Sequence, residues 1–369
     1  MKIEATAEEF KAALSGVLKP VSNPAVPVLG YAKVGIDGLT TTNLDITTTA
    51  IIHNAQGEGE FLIPYRQVAD LLKGEHGPLV IESDQSTEPM PALDKDGEPA
   101  DLPKPKIVLT IGGAEFKFDS LDVRRFPEIP AAAPFTLTVF EKDFQKLLNR
   151  VTFAVSTEDS RYTLGGALFG AKDGNLTAVA TDGHRLSKAF VYADGALDRT
   201  IVRLDALKWL HGRKGDVQIG ADENYQVFRI GSVTMITRKC SGQFPNWEAV
   251  MPLAKSETVH VLITDPAALL TVLKRVAKVA DKLSGATTWS FGRGKSTVSA
   301  TSMELGTASA TIPVSASGDI VIGWNAEFVE EFLKLAGDEP WTLGIKDAQS
   351  AVLFSNGYDF DYVLMPMRI

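Results

Sequence analysis

Residues that favour β-strands flank a short polar stretch in three well-separated segments of the chain. These segments are residues 39–53, 176–192 and 297–313, and the polar stretch lies near the middle of each. Strand-forming residues on both sides of a polar turn are typical of two antiparallel strands joined as a hairpin. The same local pattern therefore occurs three times along the chain.

Helical spacing of apolar residues also recurs around each of these hairpins. Each copy is predicted to open with an amphipathic helix, at residues 6–19, 141–150 and 265–282. After each hairpin, an apolar strand leads into a second helix, within residues 61–73, 201–214 and 320–334. Each copy is then predicted to close with a further hairpin, at residues 114–130, 232–252 and 358–369.

A threefold internal repeat fixes the domain organisation because each copy contains a complete set of elements. We predict an α+β protein of three repeated domains, at residues 1–131, 132–254 and 255–369, each with two helices packed on antiparallel sheets. Proline-rich stretches near the two boundaries are suited to short linkers. Residues 83–106 break the plan, since they are rich in proline and acids, and they are predicted to be an exposed insertion in the first domain.

Composition narrows the class of protein. The 369 residues carry a formal charge of −9, which argues against a protein that coats nucleic acid with its whole surface. Cys240 is the only cysteine, so an internal disulfide and a multi-thiolate metal site are excluded. The first residues lack the basic segment and apolar run of a secretory signal, and no apolar stretch is long enough to span a membrane. We therefore expect a cytoplasmic protein.

Positive charge is concentrated in the predicted helices. The six helices carry 15 basic and 11 acidic side chains, whereas the rest of the chain carries 22 basic and 35 acidic ones. The helix predicted at 265–282 has Lys274, Lys278 and Lys282 at every fourth residue, away from its apolar face. This pattern fits either an ordinary solvated face or a surface that contacts phosphates without reading base sequence.

Signals for catalysis are weak. Asp182, His184 and Arg185 resemble an acid–base group, but no nucleophile or metal-ligand set accompanies them. The five histidines are too scattered for a zinc site, so no metal and no cofactor are predicted. A hydrolase using Asp182 and His184, and a repeat scaffold unrelated to DNA, remain as alternatives to a DNA-associated protein without catalytic activity.

Four motifs, taken in their order along the chain, resemble the bacterial DNA polymerase III beta clamp. They are RYTL at 161–164, ATDGHRL at 180–186, FPN at 244–246 and VLMPMRI at 363–369. Together with the threefold repeat, the resemblance covers essentially the whole chain. It implies a head-to-tail homodimeric ring around duplex DNA, held by topology and by weak contacts from the basic inner helices.

The resemblance also implies a pocket between the second and third domains, where the replicative polymerase, the clamp loader and other proteins that carry the clamp-binding motif dock a short peptide. Its expected walls, with Phe328 and Met367 as the hydrophobic subsites, are Leu164, Thr181, Gly183, His184, Arg185, Leu186, Pro245, Val250, Asn325, Phe328, Val363, Met365, Pro366 and Met367.

The ring also implies a surface for DNA and a contact between subunits. The basic residues expected to face DNA are Lys11, Arg66, Lys73, Lys142, Lys146, Arg150, Lys208, Arg213, Lys274, Lys278 and Lys282. Phe116 and Phe118 alternate on a strand and are either core residues or part of the dimer edge. Such a protein would associate with the nucleoid during replication and would have no membrane partner.

Overall fold

A computed structural model describes residues 1–21, 23–84, 104–240, 242–252 and 257–368. Most of the predicted insertion at 83–106 lies outside the described residues, as does Ile369. The chain folds into two compact units, one of Met1–Phe135 with Lys214–Arg238 and the other of Thr136–Arg213 with Lys239–Ile369. The boundaries predicted for three domains differ from this division and stay predictions.

The described secondary structure repeats one order of nine strands and two helices three times, which makes the protein α+β. The first repeat consists of β1 (Lys2–Thr6), α1 (Ala7–Gly16), β2 (Tyr31–Gly35), β3 (Gly38–Thr42), β4 (Ile46–Ala50), β5 (Gln56–Glu58), β6 (Phe61–Pro64), α2 (Tyr65–Leu71), β7 (Pro78–Ser83), β8 (Lys106–Ile111) and β9 (Ala114–Asp119).

The other two repeats have the same order of elements. The second consists of β10 (Phe135–Val139), α3 (Glu141–Thr152), β11 (Gly166–Lys172), β12 (Asn175–Thr181), β13 (Arg185–Tyr192), β14 (Asp194–Gly195), β15 (Leu197–Arg203), α4 (Leu204–Leu210), β16 (Val217–Ala221), β17 (Tyr225–Ile230) and β18 (Val233–Arg238). The third consists of β19 (Val259–Ile263), α5 (Pro266–Ala277), β20 (Ala286–Phe291), β21 (Thr297–Ser302), β22 (Gly306–Thr311), β23 (Val314–Ala316), β24 (Ile320–Asn325), α6 (Ala326–Leu335), β25 (Trp341–Ile345), β26 (Val352–Ser355) and β27 (Phe360–Leu364).

Strand pairing in the first unit is antiparallel and forms two sheets. One sheet has the order β5-β1-β7-β8-β9, so β9 is an edge strand with β8 as its neighbour. The other contains the run β16-β17-β18-β4-β3-β2-β6, in which β18, the last strand of the second repeat, pairs with β4 of the first repeat. Strand pairing thus continues from one repeat into the next.

The second unit pairs its strands in the same manner. β27, the last strand of the third repeat, pairs with β13 of the second repeat within the run β15-β11-β12-β13-β27-β26-β25-β19-β23. The remaining sheet has the order β22-β21-β20-β24, so β22 is an edge strand with β21 as its neighbour. By its place in the repeat, β9 is equivalent to the closing strands β18 and β27, and β22 is equivalent to β4 and β13. Unlike these equivalents, β9 and β22 each lie at a sheet edge.

Side-chain caps fix where several helices begin. Thr6 accepts a hydrogen bond from the Glu9 amide, and the Glu9 carboxylate accepts one from the Thr6 amide, which is a complete capping box for α1. Asp265 caps α5 by accepting from the Ala268 amide at 2.8 Å, with Pro266 at the first helical position. Asn325 accepts from the Glu327 amide at the start of α6.

Three sequence predictions need correction. Helix α1 ends at Gly16 rather than at residue 19, because Val17 is extended and the Leu18 amide donates to the Thr48 hydroxyl. Helix α5 ends at Ala277 rather than at 282, because Asp281 accepts hydrogen bonds from the Leu283 and Ser284 amides and so stabilises a turn there. The closing segments are also not hairpins in themselves. The first two provide a single strand each, β9 and β18, which pairs with the strand before it and is followed by a linker with a short 3-10 helix.

Aromatic side chains dominate the core of the third repeat. The buried ring of Phe332 on α6 lies 4.7 Å from that of Trp341, 5.0 Å from that of Phe354 and 5.0 Å from that of Tyr362, measured between centroids. Edge-to-face and stacked pairs at such distances add to the stabilisation that burial provides. Phe332 thus fixes α6 on β25, β26 and β27.

We expect Phe332→Ala to lower the free energy of unfolding by about 3–5 kcal/mol, because a large cavity would form in a close-packed aromatic cluster. Urea denaturation followed by tryptophan fluorescence measures this, with Met303→Ala as the control, since Met303 is fully exposed in the β21–β22 turn. A loss for Phe332→Ala no larger than for Met303→Ala would contradict this packing.

Candidate functional site

A cavity of about 200 Å³ opens beside the turn that connects β12 to β13; we call it the turn cavity. Its walls come from this turn, from the end of β27 and from the 3-10 helix Trp247–Val250. All of these belong to the second compact unit. The lining residues are Leu164, Thr181, Gly183, His184, Arg185, Leu186, Pro245, Asn246, Trp247, Val250, Ala351, Val363 and Met365.

Internal hydrogen bonds hold the β12–β13 turn in one conformation. The Asp182 carboxylate accepts from the amides of His184 and Arg185 at 2.9 and 3.0 Å, as in an Asx turn. Gly183 has a φ of +89°, and an added Cβ would lie 2.9 Å from the Arg161 guanidinium, which donates to the Asp182 carbonyl at 2.7 Å. Glycine is therefore required where the turn passes Arg161.

Arg185 is almost fully buried, and its guanidinium binds protein groups on three sides. It donates to Asp182 at 2.9 Å and to the Phe153 carbonyl at 2.8 Å, and it pairs with Glu331 of α6. Its charge also lies 4.3 Å from the centre of the Phe328 ring, a cation–π distance. Arg185 thus joins the turn to α6, and this extensive bonding indicates that it shapes the cavity wall.

The mouth of the cavity is apolar and accessible. Leu186 and Val363 form a buried cluster with Val179, and Trp247 packs against it. At the rim, Val250 is 55% exposed and Met365 is 45% exposed. Large apolar side chains that stay in water beside a preformed cavity are characteristic of a binding site for an apolar ligand or peptide.

Most of the predicted pocket residues line this cavity, and four do not. Asn325 caps α6, and the Phe328 ring lies 6.3 Å from the ring of the lining residue His184. The Met367 amide donates to the Gly323 carbonyl in an isolated bridge, and Pro366 lies between it and the lining residue Met365. The roles assigned to Phe328 and Met367 as hydrophobic subsites stay predictions.

The sequence prediction omitted three lining residues. Asn246 and Trp247 directly follow Pro245, so continuing that motif by two residues would have found them. Ala351 precedes β26, far from any of the quoted motifs, and it carries no local signal. It joins the cavity through the pairing of β26 with β27.

The basic residues predicted to face DNA fall into two groups. Arg66, Lys142, Lys208 and Lys274 are exposed on helices, and Lys278 is exposed as the C-cap of α5. The others are bound to protein groups or lie beyond a helix end: Lys11 (bonded to the Glu75 carbonyl), Lys73 (paired with Asp70), Lys146 and Arg150 (both paired with Asp359), Arg213 (stacked on Trp209) and Lys282 (in the turn after α5).

Phe116 and Phe118 lie on β9 at the two positions that are half-buried, and both pack against the core of the first unit. Their neighbours along β9 are exposed. Phe116 and Phe118 therefore contact the core and also lie on an edge strand, so the two alternatives from the sequence, core residue and edge residue, are compatible.

Metal ligands and membrane-spanning helices are absent from the described residues. No group of three or more histidine, cysteine, aspartate or glutamate side chains is placed there to hold a metal ion. Within the same part of the chain, every helix is too short or too polar to cross a bilayer.

Comparison with known proteins agrees with the fold. Residues 138–246 match the family model for the central domain of the DNA polymerase III beta subunit. A beta sliding clamp of Chlamydia pneumoniae is 28% identical over 364 residues, which cover 94% of this chain and 93% of that protein. The beta sliding clamp of Pseudomonas aeruginosa is 24% identical over 363 residues, which are 93% of each chain.

Solved structures share the fold over the full length. The DNA polymerase III beta subunit of Pseudomonas aeruginosa superposes with a TM-score of 0.86 at 23% identity, covering 100% of both chains. A sliding clamp of Bartonella birtlesii bound to griselimycin gives a TM-score of 0.84 at 22% identity, again over 100% of both chains.

The threefold strand–helix repeat, with a preformed cavity beside the β12–β13 turn, defines a protein of the DNA-clamp fold class. The match to the central-domain model and the similarity to relatives over nearly the whole length point to the same group of proteins. The chain is similar to the bacterial DNA polymerase III beta subunits, the beta sliding clamps.

Asp359 supplies a pH-dependent contact at the β13–β27 pairing. Burial raises the pKa of its carboxyl, but hydrogen bonds from Lys146, Asn356 and Arg150 outweigh burial and lower the pKa to about 2. Because the folded-state pKa lies below the unfolded one, the stabilisation is present above about pH 4 and is lost as the pH falls towards 2.

We therefore expect Asp359→Asn to be less stable than the parent by a constant amount between pH 7 and pH 5, and the difference to shrink below pH 4. Denaturant midpoints measured across this range, with Asp338→Asn as a control at an exposed carboxylate, would test the contact. A difference that does not change with pH would exclude an ionised Asp359 as its cause.

Proposed function

We propose that this protein is a DNA sliding clamp, a processivity factor that encircles duplex DNA as a closed dimer and holds the replicative polymerase there. The observation that carries the proposal is the unfinished repetition of strand pairing. Two closing strands, β18 and β27, pair with the preceding repeat, whereas among the described strands β9 and β22 each have an open edge. Two copies joined through β9 and β22 would complete the same contact twice and close a ring.

The two paired junctions are equivalent residue by residue. At the first, Val233 lies opposite Ala50, and the Arg238 amide donates to the Asp45 carbonyl. At the second, Phe360 lies opposite Ala189, and the Met365 amide donates to the His184 carbonyl. In both, the first residue of the closing strand faces a buried alanine.

This equivalence gives a register for the proposed dimer contact. β9 begins at Ala114. In β22, the alanine equivalent to Ala50 and Ala189 is the half-buried Ala310, if the turn between β21 and β22 is taken to be one residue longer than the turns of the other two hairpins. Antiparallel pairing of Ala114 with Ala310 puts Phe116 opposite Ala308. The two aromatic rings would then be covered by the second copy, as β18 and β27 are covered within the chain.

The exposed basic residues support DNA as the ligand of the ring. Arg66, Lys142, Lys208 and Lys274 come from helices of all three repeats, while the chain as a whole carries a charge of −9. Contacts of this kind neutralise phosphates without reading bases and permit sliding. An acidic remainder would repel nucleic acid from the outside of the ring.

The turn cavity supports the second half of the function, the docking of partners. Its apolar, preformed mouth suits a short peptide segment of the polymerase, the clamp loader or repair proteins, and we propose that it takes griselimycin, the ligand named for the Bartonella birtlesii relative. The proposed function requires no catalytic residue, no metal and no cofactor. It would be exercised in the cytoplasm, at the nucleoid.

The decisive experiment measures retention on DNA of different topology. Protein loaded by a clamp loader onto nicked circular DNA should co-elute with the circles and be lost after the circles are linearised. Loss at equal rates from circles and from linear DNA would contradict topological clamping and favour an unrelated scaffold.

The register predicts a specific cross-link between two copies. In a Cys240→Ser background, Glu115→Cys with Ser309→Cys should form disulfide-linked dimers under mild oxidation, because directly opposed residues have Cα atoms within disulfide range. Lys117→Cys with Ser309→Cys is the matched control, since diagonal residues are about 7–8 Å apart. Equal cross-linking of the two pairs would refute the register.

The exposed apolar side chain of Met365 at the cavity mouth is expected to contribute to the free energy of ligand binding. Met365→Ala should weaken griselimycin binding by about 1–3 kcal/mol, because a half-exposed apolar side chain at the rim would be covered by the ligand. Isothermal titration calorimetry measures this, with Met303→Ala as the control for an exposed methionine elsewhere. Unchanged affinity for Met365→Ala would remove this residue from the docking surface.

A further inference from the structure

A second depression adjoins the turn cavity on one face of β11, β12 and β13. It has a volume of about 570 Å³, and its apolar floor includes Leu168, Val179 and Trp247. We call it the sheet groove. Trp247 lines both the turn cavity and the sheet groove, so the two depressions meet at one side chain.

The apolar floor is continuous between the two. Val179, at the bottom of the sheet groove, belongs to the same buried cluster as Leu186 and Val363, which line the turn cavity. Leu168 and Trp247 pack against this cluster from the groove side. A chain leaving the turn cavity would therefore meet apolar surface without crossing a polar barrier.

Basic residues outnumber acidic ones around this groove. A neighbouring depression of about 540 Å³ shares Leu168, Arg199 and Trp247 with it, and the two together are lined by the basic Lys172, Lys188, Arg199 and Lys239 and by the acidic Asp198 and Glu248. The net lining charge is positive in a protein of charge −9. An occupant with acidic side chains is therefore favoured.

Two of these cations already have partners. Arg199 lies 2.7 Å from Glu248 in an exposed ion pair, which contributes little free energy and can be shared or replaced by an incoming carboxylate at small cost. Lys188 lies 3.0 Å from Asp361 in a pair that is about three-quarters buried, and its ammonium has three donors, so a second carboxylate can share it. Lys172 is exposed at the end of β11.

Nucleic acid fits this groove less well than a peptide. Asp198 and Glu248 lie among the lining residues, where they would repel a continuous phosphate backbone but not a chain with spaced carboxylates. The groove also continues a cavity whose shape suits a peptide. The observations therefore favour a polypeptide as the occupant.

We propose that the sheet groove binds an extended acidic segment that flanks the docking peptide in the same partner chain. Its apolar side chains would contact Leu168, Val179 and Trp247, and its carboxylates would pair with Lys172 and Lys188. The inference rests on the proposed docking function and adds a determinant of partner choice, because partners that share one short motif would differ in affinity through their flanks.

The test uses fluorescein-labelled linear peptides, selected by display against the full protein and retained only if griselimycin displaces them. The tightest peptide is extended by Asp-Leu-Asp-Leu at either end, or by Asn-Leu-Asn-Leu as a neutral reference. At one end, the acidic extension should tighten the Kd about tenfold relative to the neutral one, with a gain that falls as salt rises.

Lys172→Gln with Lys188→Gln should abolish this gain while the unextended peptide binds as before. The matched control is Lys295→Gln with Lys346→Gln, which removes the same charge from exposed lysines of the third repeat and should leave the gain intact. No gain at either end, or a gain that survives the Lys172 and Lys188 substitutions, would overturn the groove assignment while leaving the docking function standing.

Two further outcomes have distinct meanings. If a single-stranded oligothymidylate removes the gain without displacing the unextended peptide, the groove binds nucleic acid and the proposal is wrong. If no selected peptide is displaced by griselimycin, the docking function itself fails, and the groove proposal fails with it.

Discussion

Backbone pairing between the last strand of one repeat and a hairpin strand of the repeat before it is the interaction on which this structure depends. An edge strand exposes amides and carbonyls that need partners, and an unpaired edge invites association. The β18–β4 and β27–β13 ladders satisfy that need inside the chain. Each ladder also brings a closing strand against a hairpin turn. At the second ladder, the hydrogen bonds that join the repeats also assemble the walls of the turn cavity.

The turn cavity arises at the second ladder through the side chains that β27 carries there. β27 brings Val363 and Met365 to the β12–β13 turn, and the Met365 amide is bonded to the His184 carbonyl. At the first ladder, the equivalent of Met365 is Arg238, bonded to Asp45. Met365 adds an apolar side chain to the mouth of the turn cavity, whereas Arg238 puts a charged side chain at the equivalent place. One architecture therefore yields two different junctions.

The sequence predicted the repeat well because it depends on local periodicity. The hairpins at 39–53, 176–192 and 297–313 correspond to β3–β4, β12–β13 and β21–β22, since strand-forming residues and a polar turn are encoded within a few residues. Most cavity residues followed from the resemblance. Ala351 and the involvement of Asp359 could not be predicted, because each depends on strand pairing between distant segments. The end of α5 was misjudged because the Asp281 turn competes with a helical pattern that continues to Lys282.

The open edges of β9 and β22 have a further consequence for a ring built from them. The β18–β4 and β27–β13 ladders are formed within one polypeptide, where the covalent connection keeps the two strands at a high effective concentration whatever the amount of protein. A β9–β22 ladder between two chains has no such tether, so its occupancy depends on protein concentration. In a dimeric ring, the two β9–β22 ladders between subunits are therefore the contacts expected to open first. A ring of this design can admit DNA by separating two subunits at one seam while every repeat stays folded.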